Sequence, residues 1–208
     1  VPIGYGNSSN ASSFNGYFDG NHQTITGLNV DERGNNTDAG LFGAVSVATN
    51  EPVLKDLTIE NATIYAGDET DDGTLQYGAG VLVGSITLLG GSSAKYAAIE
   101  NCHVSGQVDS KMYAGGLIGA ASYGKISNCS ADTIVTGNTV SGGFTGYAFS
   151  SSFENNTAKG SVKSTGWSTG GFAGWVYEGA ITKCTASGNV KADNWNLGGF
   201  AGYLSGAT

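Results

Sequence analysis

Apolar residues in this chain fall into short runs that are separated by glycine or polar corners. In the C-terminal half, three strand-like runs follow one another within each 27–28 residues. Strands of about four to six residues joined by three corners account for that length. No capped segment keeps a 3.6-residue apolar period, so we expect no helix longer than a turn or two. The pattern therefore predicts an all-β chain.

A glycine-rich phrase marks the period of this pattern. Residues 198–203 read Gly-Gly-Phe-Ala-Gly-Tyr, and versions of the phrase close with glycines at positions 43, 84, 119, 146, 174 and 202. The intervals between these closing glycines are 41, 35, 27, 28 and 28 residues. A period that settles at 27–28 residues is typical of a solenoid, in which each strand pairs with its equivalent in the next coil.

This pairing predicts ladders of equivalent side chains. One apolar ladder comprises Leu41, Leu82, Leu117, Phe144, Phe172 and Phe200, a second comprises Ile99, Ile126, Phe153 and Ile181, and a third comprises Cys102, Cys129, Asn156 and Cys184. The cysteines are therefore interpreted as small buried ladder residues rather than as a disulfide framework. A bridge between Cys102 and Cys129 stays conceivable, because adjacent rungs lie about 4.8 Å apart.

The predicted architecture is a right-handed parallel β-solenoid (β-helix) of about six coils, with longer coils at the N-terminus. We expect a single domain over 1–208, with a turn-rich N-terminal coil at 1–38 and repeats over 39–208. In the N-terminal coil, Asp19-Gly20-Asn21 has strong turn chemistry and is predicted to separate two short strands. Insertions near 65–78 and 88–97 are expected to form corner loops. The abrupt start and the end inside a repeat suggest a fragment of a longer protein.

Composition narrows the possible partners. Only 12% of residues are charged, 39% are hydrophobic, and the net charge is −8. Disorder needs the opposite balance, and nucleic acid or an anionic membrane needs a basic face. No apolar run approaches the roughly 18–20 residues that span a bilayer, so no membrane insertion is expected. Low charge with abundant Ser, Thr, Asn and Gly predicts an extracellular or cell-surface protein.

The repeated Gly-Gly-Phe-Ala-Gly and Gly-Leu-Phe-Gly phrases, with Phe-Asn-Gly-Tyr-Phe-Asp-Gly-Asn at residues 14–21, resemble the GLUG motif. Departures are Val81 in place of the second glycine, and Thr145, Ala173 and Ala201 where earlier copies have a large apolar residue. The resemblance implies a bacterial adhesin-like surface protein, or a non-catalytic region of proteins related to IgA-specific metallopeptidases. It supplies no catalytic residue that transfers to this chain.

Catalytic and metal-binding chemistry has few candidates. A His-Glu-x-x-His zinc site is absent, since the only histidines are His22 and His103. The acidic group at Asp68, Glu69, Asp71 and Asp72 is interpreted as a solvated corner loop. Alternatives are a weak Ca²⁺ site at Asp68, Asp71 and Asp72, or a carboxylate pair acting on polysaccharide. We predict no other cofactor.

Aromatic residues give the sharpest functional signal. Tyr147, Trp175 and Tyr203 lie 28 residues apart directly after the glycine phrase, and Trp167 and Trp195 repeat the same spacing near a corner. If the phenylalanines of the phrase point inward, strand alternation places the first three rings outward. Such rings either bind sugar faces or a protein partner, or cover glycine-rich faces and stabilise stacking.

The predicted function is a non-catalytic adhesion, spacer or interaction module. Its expected partner is a host or neighbouring-cell surface protein or glycan. One alternative is a structural module that self-associates head-to-tail through unpaired rungs. A second alternative is a polysaccharide-active β-helix enzyme that uses Asp71 or Asp72.

Overall fold

The computed structural model describes residues 2–4, 12–35, 37–48, 50–67, 76–89, 95–193 and 195–208. Within these residues the protein is all-β and contains no helix, as predicted. The strands are β1 Tyr17–Thr26, β2 Asn29–Arg33, β3 Phe42–Val47, β4 Val53–Gly67, β5 Gly78–Ala79, β6 Val83–Leu88, β7 Ala97–Ser110, β8 Tyr113–Gly115, β9 Ile118–Ser122, β10 Gly124–Ser127, β11 Ser130–Gly137, β12 Val140–Gly142, β13 Thr145–Glu154, β14 Thr157–Ala158, β15 Val162–Ser164, β16 Ser168–Gly170, β17 Ala173–Thr182, β18 Thr185–Ala186, β19 Val190–Ala192, β20 Asn196–Gly198 and β21 Ala201–Ala207.

Strands pair in parallel with their equivalents one repeat away. In the C-terminal repeats, Thr145 of β13 pairs with Ala173 of β17, which pairs with Ala201 of β21. The ladders form a 16-stranded sheet and a five-stranded sheet, the latter built from β5, β8, β12, β16 and β20. The repeat length in the sequence is therefore the separation between residues that pair on neighbouring strands.

The chain turns at left-handed residues that recur in register. Strand β13 pairs with β9 before Ser150 and with β10 after it. Ser150 has φ of 45°, and its equivalents Tyr123 and Glu178 have φ of 60°. A second corner uses Asn101, Asn128 and Asn155, all with positive φ, a conformation that asparagine tolerates better than most residues. The Asn155 side-chain amide donates to Asn128 Oδ1 at 2.7 Å and links successive corners.

The core contains the predicted column of large apolar residues. Phe144 N–H donates to the Phe172 carbonyl at 2.8 Å, and Phe172 N–H donates to the Phe200 carbonyl at 2.7 Å. The Phe144 and Phe172 rings stack with centroids 4.7 Å apart, and those of Phe172 and Phe200 with centroids 5.1 Å apart. Leu82 and Leu117 continue the buried column towards the N-terminus.

The predicted third ladder is buried at Cys102, Cys129 and Asn156 and half-buried at Cys184, and its three cysteines are free thiols. Asn156 fills the ladder in one repeat: its Oδ1 accepts from Cys129 N–H at 2.8 Å, and its Nδ2 donates to the Ile126 carbonyl at 2.9 Å. One repeat earlier, Cys129 Sγ accepts from Cys102 N–H at 3.4 Å and lies 3.8 Å from the Ile99 carbonyl. The thiol, which also lies 3.1 Å from the Ser127 carbonyl, therefore contacts backbone groups equivalent to those that the Asn156 amide contacts one repeat later.

The turn predicted at Asp19-Gly20-Asn21 is wrong, because β1 runs through it. Its pairing register with β4 shifts between Asp19 and Gln23, and Asn21 and His22 have φ of 49° and 56°. Asp19 Oδ1 accepts from Asn21 N–H at 2.8 Å. The turn-forming residues thus make a bulge within one strand, since pairing with β4 on both sides continues the ladder.

The glycine phrase brings the backbones of successive repeats into contact. A Cβ at Gly116, Gly143 or Gly171 would lie 2.2 Å from the carbonyl oxygen of the equivalent glycine in the next repeat. That distance is far below van der Waals contact, and the obstructing atom is backbone. At these three positions the second glycine of the phrase is therefore required by a close backbone approach.

We predict that Gly171→Ala strongly destabilises the protein, whereas Gly199→Ala is tolerated. Gly199 is the same position one repeat later, and a Cβ there meets no atom within 4 Å. Overpacking at Gly171 should lower the free energy of unfolding by about 1–3 kcal/mol. Urea unfolding of the two variants measures this difference, and equal losses would contradict the close-approach explanation.

We also predict that Asn156→Ala costs more stability than Asn156→Cys. The alanine leaves the buried Cys129 N–H and Ile126 carbonyl without partners, a loss of about 1–3 kcal/mol for each group. Cysteine restores the arrangement found one repeat earlier with a weaker donor. Thermal unfolding followed by circular dichroism ranks the variants, and an alanine variant as stable as the parent chain would refute this role.

Candidate binding face

The face of the large sheet opposite the core changes character along the repeats. Two columns of residues run across β3, β6, β9, β13, β17 and β21 on this face. In register order, the first column is Ala44, Ser85, Ala120, Tyr147, Trp175 and Tyr203. The second column includes Ser122 of β9 and Phe149 of β13, which pair with each other. In both columns the residues are small through β9 and become aromatic at β13.

The aromatic face comprises Tyr147, Trp175 and Tyr203 of the first column and Phe149 and Tyr177 of the second. Trp175 packs edge-on against Tyr147 at 6.2 Å and against Tyr203 at 5.1 Å between ring centroids. Phe149 and Tyr177 stack at 5.7 Å. Tyr177 and Tyr203 are each 41% exposed, and Tyr147 and Trp175 are half-buried. The rings thus both support one another and present surface to solvent.

Rings from the neighbouring corners extend this face. Tyr113 of β8, in the five-stranded sheet, stacks on Tyr147 with centroids 5.2 Å apart. Tyr123 packs edge-on against Phe149 at 5.6 Å and contacts Tyr96 at 6.2 Å. Lys125 Nζ lies 4.2 Å from the centre of the Tyr96 ring. Aromatic contacts therefore extend from Tyr113 in the five-stranded sheet, across the aromatic face, to the corner at Tyr123.

The other predicted aromatic pair lies apart from this face. Trp167 precedes β16 and Trp195 precedes β20, and they are 71% and 93% exposed. Their repeats are joined by a backbone hydrogen bond from Asn196 N–H to the Trp167 carbonyl at 3.0 Å. Among the described residues, neither indole makes a ring contact with the aromatic face.

Sequence reasoning found one column of the aromatic face and missed the other. Phe149 and Tyr177 are also 28 residues apart, two positions after Tyr147 and Trp175. Because side chains alternate along a strand, this spacing alone predicts that they lie on the same side as Tyr147 and Trp175. Tyr113 had no such signal, because its contact with Tyr147 joins two different sheets.

A small groove lies beside the aromatic face. Ser85, Thr87, Ala120 and Ser122 line it with small side chains, and Tyr113 and Tyr147 stand at its side. Its volume is about 70 Å³. Burial raises the pKa of the Tyr113 and Tyr147 hydroxyls, so both stay protonated at neutral pH. The groove thus offers hydroxyl groups and aromatic rings.

A buried carboxylate supports Ser85 from behind. Asp38 is 1% exposed; its Oδ1 accepts from Gly78 N–H at 2.8 Å and its Oδ2 accepts from Ser85 Oγ at 2.6 Å. Burial raises the Asp38 pKa to about 7, against the opposing effect of these two hydrogen bonds. Asp38 therefore joins the start of one repeat to the floor of the groove.

A larger, charged cavity of about 350 Å³ lies near the N-terminal repeats, lined by Arg33, Tyr65, Asp109 and Lys111 among others. The Arg33 guanidinium pairs with Asp31 and lies 4.4 Å from the centre of the Tyr65 ring. Burial raises the pKa of Asp109, against the pull of Lys111 and Arg33. Its chemistry differs from that of the groove, because both signs of charge are present.

The predicted calcium ligands Asp68, Asp71 and Asp72 lie outside the described residues. Within the described ranges, no group of three or more His, Cys, Asp or Glu side chains is placed to hold a metal ion. The same part of the chain has no helix long and apolar enough to cross a membrane.

Comparison with known proteins bears on the repeated phrase. The family model of the GLUG motif matches residues 111–136 and 165–191, which contain the glycine phrases of two repeats. The chain therefore contains GLUG repeats in these two segments. The resemblance inferred from the sequence is thereby confirmed, and the motif's glycines are those that bring successive backbones together.

This chain is similar to two informative proteins. It is 33% identical over 123 residues to Halomucin of Haloquadratum walsbyi (strain DSM 16790 / HBSQ001), a match that covers 59% of the chain and 1% of Halomucin. A crystal structure of a candidate immunoglobulin A1 protease from Bacteroides ovatus superposes with a TM-score of 0.74 at 20% identity. That match covers 97% of this chain and 62% of the other, and it shows a shared fold.

We predict that Asp38 makes stability depend on pH. Its pKa is higher in the folded than in the unfolded protein, so the folded state holds the proton over an interval in which the unfolded state has released it. Stability should therefore fall as pH rises from about 4 to about 7. Asp38→Asn should remove this fall. Urea unfolding at a series of pH values measures it, and parallel pH profiles for the two proteins would contradict the prediction.

Proposed function

We propose that this protein is an extracellular, non-catalytic interaction module whose aromatic face binds a surface protein or glycan. The observation that carries the proposal is the change from small to aromatic residues at β13, sustained through three repeats in the first column. Aromatic side chains combine a large apolar area with polar tips and are enriched at binding surfaces.

The solvent exposure of the rings favours binding over a purely structural role. Trp175 contacts both Tyr147 and Tyr203, so the column is held in place from within. Tyr177 and Tyr203 nevertheless leave 41% of their surface in water. An exposed apolar cluster of this kind marks an interaction site on a soluble protein. A rigid sheet also presents such rings with little loss of conformational entropy on binding.

We propose that the repeats wind as a right-handed β-solenoid of about six coils. Parallel pairing of each strand with its equivalent one repeat away supports this architecture. Connections between parallel strands of one sheet are right-handed in nearly all proteins. In such a solenoid the aromatic face is one wall, and its columns run along the long axis.

An extracellular or cell-surface location is supported by the similarity to Halomucin and by composition. The matched region is a small part of Halomucin, so a segment similar to this chain occurs there within a far longer protein. Only 12% of the residues are charged, and the net charge of −8 suits a surface that stays soluble without binding nucleic acid. We propose that this chain serves as a binding or spacer element.

Substitution of the exposed rings tests the proposal. Tyr177→Ala and Tyr203→Ala should each weaken binding to glycan or glycoprotein arrays by about tenfold, the loss expected for a well-placed interface ring. Trp195→Ala removes a more exposed ring outside the aromatic face, and it should leave binding unchanged. Loss of binding with Trp195→Ala alone would instead assign the surface to the Trp167 and Trp195 corner.

A further inference from the structure

We infer that the groove beside Tyr113 and Tyr147 is a binding site for one uncharged sugar unit of a glycan. The inference rests on the proposed function and names the ligand class of the same face. It comes from four features of the groove: the step in side-chain size, the free polar groups, the absence of charge among its described lining residues and the limited volume.

The step in side-chain size creates a floor and a wall. Ala120 of β9 pairs with Tyr147 of β13, and Ser122 pairs with Phe149. Adjacent strands lie about 4.8 Å apart, so two large rings rise one strand away from two small side chains. Tyr113 adds a third ring through its 5.2 Å stack on Tyr147. A flat ligand resting on the floor would meet the rings at its edge or face.

The floor carries polar groups with spare capacity. Thr87 and Ser122 are half-buried, and Gln76 at the rim is exposed. Within the described part of the chain, none of these three side chains makes a hydrogen bond to another residue. Hydroxyls and amides both donate and accept, which matches the hydroxyl groups of a sugar. Ser85 differs, because its hydroxyl already donates to Asp38.

The absence of charge selects against acidic sugars. None of the described residues that line the groove is Asp, Glu, Lys or Arg. A carboxylated or sulfated sugar would therefore lose water without gaining a cation. Asp38 lies directly behind Ser85 and adds negative charge when it is ionised. Unlike the cavity at Arg33 and Lys111, the groove thus favours a neutral ligand.

The volume limits how much of a ligand enters. About 70 Å³ admits part of a single sugar ring, whereas sites for larger ligands exceed about 300 Å³. A glycan bound here would insert part of one unit into the groove and pass its neighbours over the aromatic face. The groove then supplies selectivity, and Tyr177 and Tyr203 supply contact area.

The test measures binding of the methyl glycosides of glucose, galactose and N-acetylglucosamine, with glucuronate and sialic acid as acidic counterparts. Titration is followed by amide NMR shifts of the whole chain. At least one neutral glycoside should bind, and each acidic sugar should bind at least tenfold more weakly. Absence of binding by all three neutral glycosides, or equal binding of an acidic sugar, overturns the inference.

Two variants assign the site. Ser122→Phe fills the groove and should abolish glycoside binding. Thr87→Val removes one hydroxyl with little change of shape and should weaken binding several-fold, which covers the case in which Ser122→Phe fails to fold. Thr136→Val is the matched control, because Thr136 is a half-buried strand threonine on β11, outside the groove. Unchanged binding in Thr87→Val, or equal weakening in Thr136→Val, overturns the assignment.

The two proposals fail in different ways. If only the groove assignment is wrong, Ser122→Phe and Thr87→Val leave array binding intact while Tyr177→Ala and Tyr203→Ala still reduce it. If the proposed function is wrong, the tyrosine variants bind to the arrays as the parent chain does.

Discussion

The backbone of one repeat lies directly against the backbone of the next at the glycine phrase, and the remaining structure depends on this contact. A single Cβ at Gly143 or Gly171 would lie only 2.2 Å from a carbonyl oxygen of the following repeat. The contact places the Phe144 and Phe172 amides where they donate to the next carbonyl in the column. It thus fixes the register in which every other strand pairs, because a slip would move side chains to the wrong face.

This register aligns side chains both in the core and on the opposite face of the large sheet. In the core, residues one repeat apart stack as buried columns. Even the polar Asn156 fits such a column, because it accepts from the Cys129 N–H as the Cys129 thiol accepts from the Cys102 N–H one repeat earlier. Outside, the same register aligns Tyr147, Trp175 and Tyr203. Because the core columns already hold the repeats together, the outer columns are free to vary, and the change from small to aromatic residues at β13 is the variation that we connect with binding.

Much of this order is readable from periodicity, because a repeat of fixed length places equivalent residues in one ladder. The apolar columns and the outward rings of Tyr147 and Tyr203 follow from spacing and alternation alone. Contacts between non-equivalent positions do not, since no period relates Tyr113 to Tyr147 or Asp38 to Ser85. Local turn chemistry was misleading at Asn21, where pairing with β4 prevails and turn residues form a bulge.

Native-state hydrogen exchange tests the central claim most directly, because it reports whether the repeats stack in this register. The amides of Leu117, Phe144 and Phe172 each donate to the next repeat within the core, at 2.7–2.9 Å. They should be among the slowest in the protein and exchange only through global unfolding. Exchange of these three amides at the rates of an unstructured chain, while the protein remains folded, would contradict the account.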